Sequence, residues 1–252
     1  MKNSNRFMIA LAIACTSPVV NAEDLVFSPR LTTGYMNYQL KQPAFDIFPA
    51  ASFEANAPVI GVGTTLYWNR LYLDVYGQIS AEASDTSSIP ILGYEEEFTG
   101  DRRDFSLALG YSITDNLSFY AGYKYGKTDT SGSIGGQAKF KEDGYFLGAS
   151  YGWVIQDKGV ISLNIAVANL DGDLGYLTPA IGFASNQTSE TQGLSYGISW
   201  KSTFDKNWGY TIALDGYQYK FKDLVDERLG AVPGEISEDM LTARVSISYL
   251  FD

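Results

Sequence analysis

The stretch LYLDVYGQISAEAS, residues Leu71–Ser84, alternates between apolar and polar residues over its whole length. One face is apolar or small and the other is polar: Leu71, Leu73, Val75, Gly77, Ile79, Ala81 and Ala83 against Tyr72, Asp74, Tyr76, Gln78, Ser80, Glu82 and Ser84. This period of two predicts a strand with one apolar face. An ordinary strand has about 5–6 residues, whereas a membrane-crossing strand needs about 9–11. The stretch is therefore long enough to cross a bilayer.

The same alternation recurs along the chain and predicts ten strands. They are roughly Pro29–Leu40, Val59–Trp68, Leu71–Ser84, Asp104–Ile113, Leu117–Lys127, Gly144–Ile155, Val160–Leu170, Gly193–Phe204, Trp208–Phe221 and Met240–Phe251. The first strand and the links between strands are loosely patterned, so eight or twelve strands remain open.

The links between the predicted strands alternate between short and long. Tight turns fall at Asn69, Thr114, Gln156 and Asp205, whereas the long links are Lys41–Ala57, Asp85–Arg103, Thr128–Asp143, Asp171–Gln192 and Lys222–Asp239. Hydrocarbon offers backbone groups no hydrogen-bond partner, so a spanning sheet must close on itself. The pattern predicts an all-β fold, a closed antiparallel up-and-down transmembrane β-barrel with long loops on one side.

Aromatic residues cluster at both ends of the predicted apolar faces, as the interfacial girdles of membrane barrels do. One set lies near the tight turns and a second near the long links: Trp68, Tyr111, Phe119, Trp153, Trp200, Phe204, Trp208, Tyr210 and Tyr249, then Phe105, Tyr123, Tyr125 and Tyr145. A soluble sandwich or a lipocalin-like barrel would turn the apolar faces inward. Strand length, the girdles and the alternating links favour the membrane barrel.

The first 22 residues have the pattern of a secretory signal peptide. Lys2 and Arg6 precede the short apolar run Phe7–Cys15, and Val20-Asn21-Ala22 resembles a cleavage site. We therefore expect a signal peptide over residues 1–22, a barrel over residues 23–252, and export through the periplasm to the outer membrane. A lipoprotein modified at Cys15 is the alternative, although Ala12 stands where a larger aliphatic residue is preferred.

Composition narrows the function. The chain has 18 Lys+Arg against 29 Asp+Glu, no His and one Cys. The acidic balance argues against nucleic-acid binding, the missing His removes Ser-His and Asp-His catalysis, and Cys15 alone cannot make a disulfide framework. We expect no enzyme activity, no cofactor and no metal. Glu95-Glu96-Glu97 is interpreted as an exposed loop tip, and Asp171-Gly172-Asp173 as a turn rather than a Ca²⁺ site.

The last predicted strand ends in ARVSISYLF, Ala243–Phe251, with apolar residues at alternate positions. This ending resembles the C-terminal signal of Gram-negative outer-membrane β-barrel proteins. The resemblance implies that Tyr249 and Phe251 form part of the signal that the outer-membrane assembly machinery recognises. Asp252 departs from the pattern, which usually ends on the aromatic residue. The resemblance covers the chain from about Pro29 to Phe251 and implies fold and location, but neither a subfamily nor an activity.

If the apolar faces meet outer-membrane lipid, the polar faces line the lumen. The predicted lumen-lining residues are Tyr72, Asp74, Tyr76, Glu82, Asp104, Lys124, Lys201, Asp215, Tyr217 and Arg244. Their charges nearly balance, and strand register suggests pairs between Lys124 and Asp104 and between Arg244, placed opposite Tyr217, and Asp215. Small residues on the middle strands face bulky tyrosines. A filled lumen and a narrow pore with a mild cation preference both stay open.

These observations predict a narrow porin-like channel or a structural barrel without catalysis. The alternative is a ligand-binding or adhesion barrel that acts through its long acidic extracellular loops. The segment Ala44–Phe53 is unusually apolar for a loop, which suggests a partial plug, a contact patch, or a loop that packs on its neighbours. Small solutes or ions are possible ligands. The sequence defines neither the solute nor the oligomeric state.

Overall fold

The computed structural model describes residues 25–42, 51–89, 94–133, 135–156, 158–178, 183–227, 230–232 and 234–251. These residues form twelve strands: β1 (Val26–Gln42), β2 (Ala51–Trp68), β3 (Leu71–Ser80), β4 (Ala83–Ile89), β5 (Tyr94–Ser112), β6 (Leu117–Gly132), β7 (Gln137–Ile155), β8 (Gly159–Thr178), β9 (Phe183–Thr203), β10 (Trp208–Asp226), β11 (Gly230–Val232) and β12 (Ile236–Tyr249). In this part of the chain, no helix is long and apolar enough to cross a membrane. The predicted signal peptide lies outside the described residues.

The strands form one closed antiparallel sheet. The pairing around the ring follows the order β1, β2, β3, β5, β6, β7, β8, β9, β10 and β12, and β12 pairs with β1. Strands β3 and β4 both pair with β5 and together occupy one strand position in the ring, while β11 pairs only with β10. The described residues therefore build a barrel with ten strand positions, which confirms the predicted fold class.

The two ends of the barrel differ in their agreement with the prediction. At the short-turn end, the strands end within a few residues of the predicted tight turns. At the long-loop end the prediction was wrong, because most of each predicted long link continues as strand: β8 runs to Thr178 and β9 begins at Phe183. Asp171-Gly172-Asp173 lies within β8 rather than in a turn, and Glu95–Glu97 lies within β5 rather than at a loop tip.

The half of the barrel nearer the short turns has an apolar outer surface. On β7, Tyr145 and Leu147 point outward and are 73% and 59% exposed, and Tyr151 and Trp153 continue the same face. On β12 and the two residues that follow it, the outward apolar residues run from Leu241 to Phe251. Such an apolar face of about 9–11 residues per strand matches the thickness of a bilayer. We call this surface the apolar band.

Beyond the apolar band, the apolar residues change faces. On β8, Leu163, Ile165 and Val167 are exposed on the outside, whereas Leu170 and Leu174 are buried inside. The register of β8 with β7 and β9 is continuous, so no bulge causes the change. The alternation itself shifts by one residue. The barrel thus continues past the band as a stretch with a polar outside and an apolar inside, which we call the extension.

The inside of the extension is packed. One cluster joins β7, β8, β10 and β12: Phe140, Ala168, Leu170, Leu174, Tyr219, Phe221, Leu224 and Ile236. A second joins β1, β2 and β12: Met36, Tyr38, Phe53, Ala55, Val59 and Met240. Ion pairs cover the outside, with Lys127 Nζ 2.6 Å from Asp129 Oδ2 and Lys141 Nζ 2.7 Å from Asp143 Oδ1. The extension therefore has the polarity of a water-soluble domain.

Candidate functional site

Five charged side chains meet inside the barrel where the polarity changes. They are Arg102, Asp104, Lys124, Glu142 and Glu238, which we call the ionic layer. Arg102 Nη2 lies 2.7 Å from Glu142 Oε1 and 2.9 Å from Asp104 Oδ1, and Nη1 donates to Glu238 Oε1. Lys124 Nζ lies 2.8 Å from Glu142 Oε1. These contacts join charges from β5, β6, β7 and β12.

The ionic layer crosses the lumen, because β5 and β12 are not neighbours in the sheet. The side chains of Arg102, Glu142 and Glu238 are 2%, 0% and 1% exposed. The Arg102 guanidinium also lies 4.8 Å from the ring centre of Tyr38 on β1, and Lys124 Nζ lies 4.4 Å from that of Tyr219 on β10. The rings of Tyr38 and Tyr219 thus contact the parts of the two cations that no carboxylate contacts.

The pKa values of the two glutamates of the ionic layer are shifted in opposite directions. Glu238 precedes the apolar band of β12, and burial raises its pKa well above the usual range. Burial also acts to raise the pKa of Glu142, but Lys124 and Arg102 outweigh it and hold that pKa below the usual range. The raised pKa of Glu238 favours its neutral form, which reduces the charge that the layer buries and therefore its desolvation cost.

The lumen wall below the ionic layer pairs tyrosines with glycines. Tyr72 lies directly across from Gly110, and Tyr120 from Gly148. A Cβ atom at either glycine would overlap the facing ring. The bulky side chains therefore lie flat on a neighbouring strand, and space remains in the middle of this half of the barrel.

That space forms two adjoining cavities between the ionic layer and the short-turn end. The larger, of about 340 Å³, is lined by hydroxyl groups, tyrosines and charged residues, among them Arg30 and Lys201. The smaller, of about 190 Å³, reaches Asp104 and Lys124 of the ionic layer. Arg30 donates two hydrogen bonds to Asp74, at 2.7 and 2.9 Å, and Arg244 Nε donates one to Asp215 at 3.1 Å.

The structure places nine of the ten predicted lumen-lining residues around these cavities. Tyr72, Asp74, Tyr76, Lys201, Asp215, Tyr217 and Arg244 line the larger one, and Asp104 and Lys124 line the smaller one. Glu82 does not join them, because it is exposed in the gap between β3 and β4. A strand had been predicted to run unbroken through Glu82, and the break at residues 81 and 82 turns the side chain away from the lumen.

One of the two predicted charge pairs is present in the structure. Arg244 does pair with Asp215, although it lies opposite Ala213 rather than Tyr217. Lys124 lies opposite Ser106 but pairs with Glu142, and Asp104 pairs with Arg102 instead. The Lys124–Asp104 prediction was wrong because Arg102 and Glu142 had been assigned to loops.

Sequence reasoning missed Arg30, Arg102, Glu142 and Glu238. Arg30 had been placed in the first strand, whose faces were not assigned. The other three share the parity of the inward residues on their strands, so extending the alternation past each predicted strand end identifies them. The predicted strands stop before these residues because the apolar residues beyond that point have the opposite parity.

Three further predicted features have a place in the structure. Phe53 is buried and packs on Tyr38, with ring centres 6.4 Å apart, while residues 43–50 of the apolar segment lie outside the described residues. Glu96 is 1% exposed rather than at a loop tip. Tyr249 and Phe251 close the barrel at the short-turn end, where Phe251 bridges Phe27, but their role in assembly stays a prediction.

Among the described residues, no group of three or more His, Cys, Asp or Glu side chains is placed to hold a metal ion. The carboxylates of the ionic layer lie instead against Arg102 and Lys124.

Comparison with solved structures shows the class to which this fold belongs. The chain is similar to the outer membrane protease OmpT of Escherichia coli, with 10% identity, a TM-score of 0.68, and coverage of 92% of this chain and 99% of that one. It is also similar to the translocator domain of the autotransporter NalP of Neisseria meningitidis, with 11% identity, a TM-score of 0.50, and coverage of 97% and 94%. No protein-family model matches the chain, and no curated protein sequence matches it. The protein thus has the fold of the Gram-negative outer-membrane β-barrels, at a level of identity that shows the fold alone.

Proposed function

We propose that this protein is a structural outer-membrane barrel with a closed lumen and no catalytic activity. Its short-turn end faces the periplasm, and its extension stands outside the cell. The proposal combines the apolar band, which fits a bilayer, with the extension, whose polar outside fits water. The long loops of bacterial barrels lie on the extracellular side, which sets the orientation.

The ionic layer is the observation that supports a closed lumen. Arg102 reaches across the barrel to Glu238, and the three side chains Arg102, Glu142 and Glu238 are almost fully buried. Above them, Phe140 and Phe221 are 2% and 0% exposed and stack edge to face with ring centres 5.1 Å apart. An ion entering from the periplasm would meet a hydrogen-bonded layer of buried side chains and then an apolar core. Both disfavour the passage of a hydrated ion.

Single-channel recording in a planar bilayer tests the closed lumen. The account predicts that the refolded wild type gives no discrete conductance steps at 1 M KCl. It predicts steps for a triple variant, Arg102→Ser with Glu142→Ser and Glu238→Ser, which removes the cross-lumen side chains and leaves Lys124 and Asp104 in balance. Steps of similar size and frequency from the wild type would overturn the proposal in favour of the narrow channel.

A matched control separates opening of the lumen from general loosening of the barrel. The neighbouring residues Arg103, Lys141 and Asp239 lie on the same three strands but point outward. Their triple serine variant should stay as silent as the wild type. Heat-modifiable mobility on a gel confirms that each sample is folded.

The absence of enzyme activity rests on composition. The sequence contains no His and only Cys15 as a thiol, so neither an imidazole base nor a cysteine nucleophile of the mature chain is available. OmpT is named a protease, but at 10% identity that name does not extend to this chain. Incubation of the refolded protein with a random fluorogenic peptide library should release no signal above that of a sample without protein.

Adhesion or ligand binding through the extracellular side is the second candidate. The observation that favours it is the length of the extension, since β8 and β9 continue for about ten residues beyond the apolar band. A closed barrel does not need so long a projection to span a membrane. Cell-surface binding to immobilised host proteins should fall when outward charges of the extension, such as Lys139 and Lys141, are reversed, whereas reversal of the inward Lys201 should not affect it.

A further inference from the structure

The larger cavity differs in charge from the rest of the protein. The chain carries a net charge of −11. The cavity is lined by three cations, Arg30, Lys201 and Arg244, and by two carboxylates, Asp74 and Asp215. The lining therefore has an excess of one positive charge inside an acidic protein.

Lys201 is the residue that carries this excess. Arg30 pairs with Asp74 and Arg244 pairs with Asp215, so both cavity carboxylates are taken. Lys201 makes no ion pair with any of the described residues. It sits on β9 opposite Val160 and Thr211, close to the short-turn end and to the mouth of the barrel. An ammonium group in such a position attracts an anion that enters from that end.

The remainder of the wall is suited to a ligand rich in hydroxyl groups. Ten serine and threonine side chains line the cavity, and they come from strands on all sides of the barrel. Tyrosine rings, including Tyr67 and Tyr72, alternate with them. Hydroxyls accept and donate hydrogen bonds, and aromatic faces pack on apolar ring faces. A volume of about 340 Å³ is at the lower end of small-molecule sites.

We infer that the larger cavity is a binding site for a small polyhydroxylated anion, such as a sugar that carries a carboxylate or a phosphate. Lys201 holds the anionic group, and the hydroxyl-rich wall holds the sugar. This inference goes beyond a structural role, and it requires only that the cavity be open at the short-turn end. The smaller cavity then lies between this site and the ionic layer.

Isothermal titration calorimetry on the refolded protein in detergent tests the inference. The probes are glucuronate, glucose 6-phosphate, glucose and inorganic phosphate. We expect glucuronate and glucose 6-phosphate to bind at millimolar concentrations or below, and both glucose and inorganic phosphate to bind at least about tenfold more weakly. Equal binding of glucose and glucuronate would overturn the role of charge, and equal binding of inorganic phosphate and glucose 6-phosphate would overturn the role of the sugar.

Substitutions assign the site to Lys201. The variant Lys201→Gln should weaken glucuronate binding by at least about fivefold, whereas Lys201→Arg should retain it, because only the former removes the charge. Lys222→Gln removes the same charge from an exposed position on the extension and should leave binding unchanged. Unchanged binding in Lys201→Gln, or no binding of any probe at 20 mM, would overturn the inference.

The test is separate from that of the closed lumen. Binding is measured in solution without a voltage, and conductance is measured without a ligand. A barrel that conducts but binds glucuronate through Lys201 would overturn the proposed function alone. A silent barrel that binds none of the probes would overturn this inference alone.

Discussion

Replacement of Arg102 by Met tests how strongly the ionic layer holds the barrel together. The guanidinium donates to Asp104, Glu142 and Glu238, and also to Thr128 Oγ1 at 3.1 Å. Arg102→Met keeps much of the side-chain volume but removes the charge that faces these carboxylates. Because the partners are almost fully buried, they lose compensation in a medium where a charge is poorly solvated.

The expected cost follows from burial. Removing one member of a buried ion pair costs about 3–5 kcal/mol, because an uncompensated charge stays behind. Arg103→Met is a matched control, since Arg103 is the next residue, points outward, and makes one ion pair with Asp101 while 59% exposed. An exposed pair of this kind contributes about 0–1 kcal/mol. The two neighbouring arginines should therefore differ by at least about 2 kcal/mol.

Urea-induced unfolding in phospholipid vesicles, followed by tryptophan fluorescence, measures both variants. The account predicts a clear loss of unfolding free energy for Arg102→Met and a small one for Arg103→Met. Replacing Arg102, Glu142 and Glu238 together by Met, Leu and Leu should recover part of the loss, because it removes the two buried glutamates that Arg102 compensates, while Lys124 and Asp104 each still lose a partner. Equal effects of the two single variants would refute the view that the ionic layer is a buried network.

Three further predictions follow from local geometry. At Gly172 an added Cβ would lie 2.6 Å from Cδ1 of the buried Phe221, so Gly172→Ala should cost about 1–3 kcal/mol in urea unfolding, whereas Gly77→Ala, with its nearest atom at 3.7 Å, should cost less than about 0.5 kcal/mol; equal costs would contradict this account. Burial raises the pKa of Glu238, so the stability of the wild type falls as pH rises from the usual carboxyl pKa through the raised one; Glu238→Gln should lack this fall, and parallel pH profiles would contradict the assignment. Asn69 has a φ of 56° in a tight turn, so Asn69→Val should destabilise the barrel by about 1–2 kcal/mol and Asn69→Gly should not, as thermal unfolding would show.

Much of the fold could be predicted because, within the apolar band, one physical requirement governs every strand. Lipid demands an apolar outside, and the resulting alternation identifies β7 from Gly144 to Ile155 and β12 from Met240 onward. The strands of the extension were not predicted because the extension needs the opposite arrangement, with polar residues outside and apolar residues inside. Water demands a polar outside, so Phe140 and Leu174 lie on the inward parity, and the sequence around them resembles an unpatterned loop.

The residues of the candidate site also differ in how well they could be predicted, according to the side of the boundary between the apolar band and the extension on which they lie. Residues of the band half, such as Asp74, Lys201 and Asp215, were identified as inward-facing from alternation alone. Arg102, Glu142 and Glu238 were not, although each has the inward parity of its strand. Their contact also depends on closure of the barrel, which brings β5 and β12 face to face across the lumen. Spacing along one strand, or between paired strands, does not reveal a contact of that kind.

Chemical labelling of inward-facing cysteines tests the central claim, that the lumen is solvated on one side of the ionic layer and packed on the other. In a Cys15→Ser background, we would introduce Ser199→Cys in the cavity wall, Leu170→Cys in the core of the extension, and Asp171→Cys on its outside as a reference. The protein would be refolded in detergent and treated with a small charged thiol reagent. The account predicts similar rates at positions 199 and 171, and a rate at position 170 lower by at least about a hundredfold. Equal rates at positions 199 and 170 would mean that the inside of the extension is open to water, and would contradict the packed core on which the closed barrel depends.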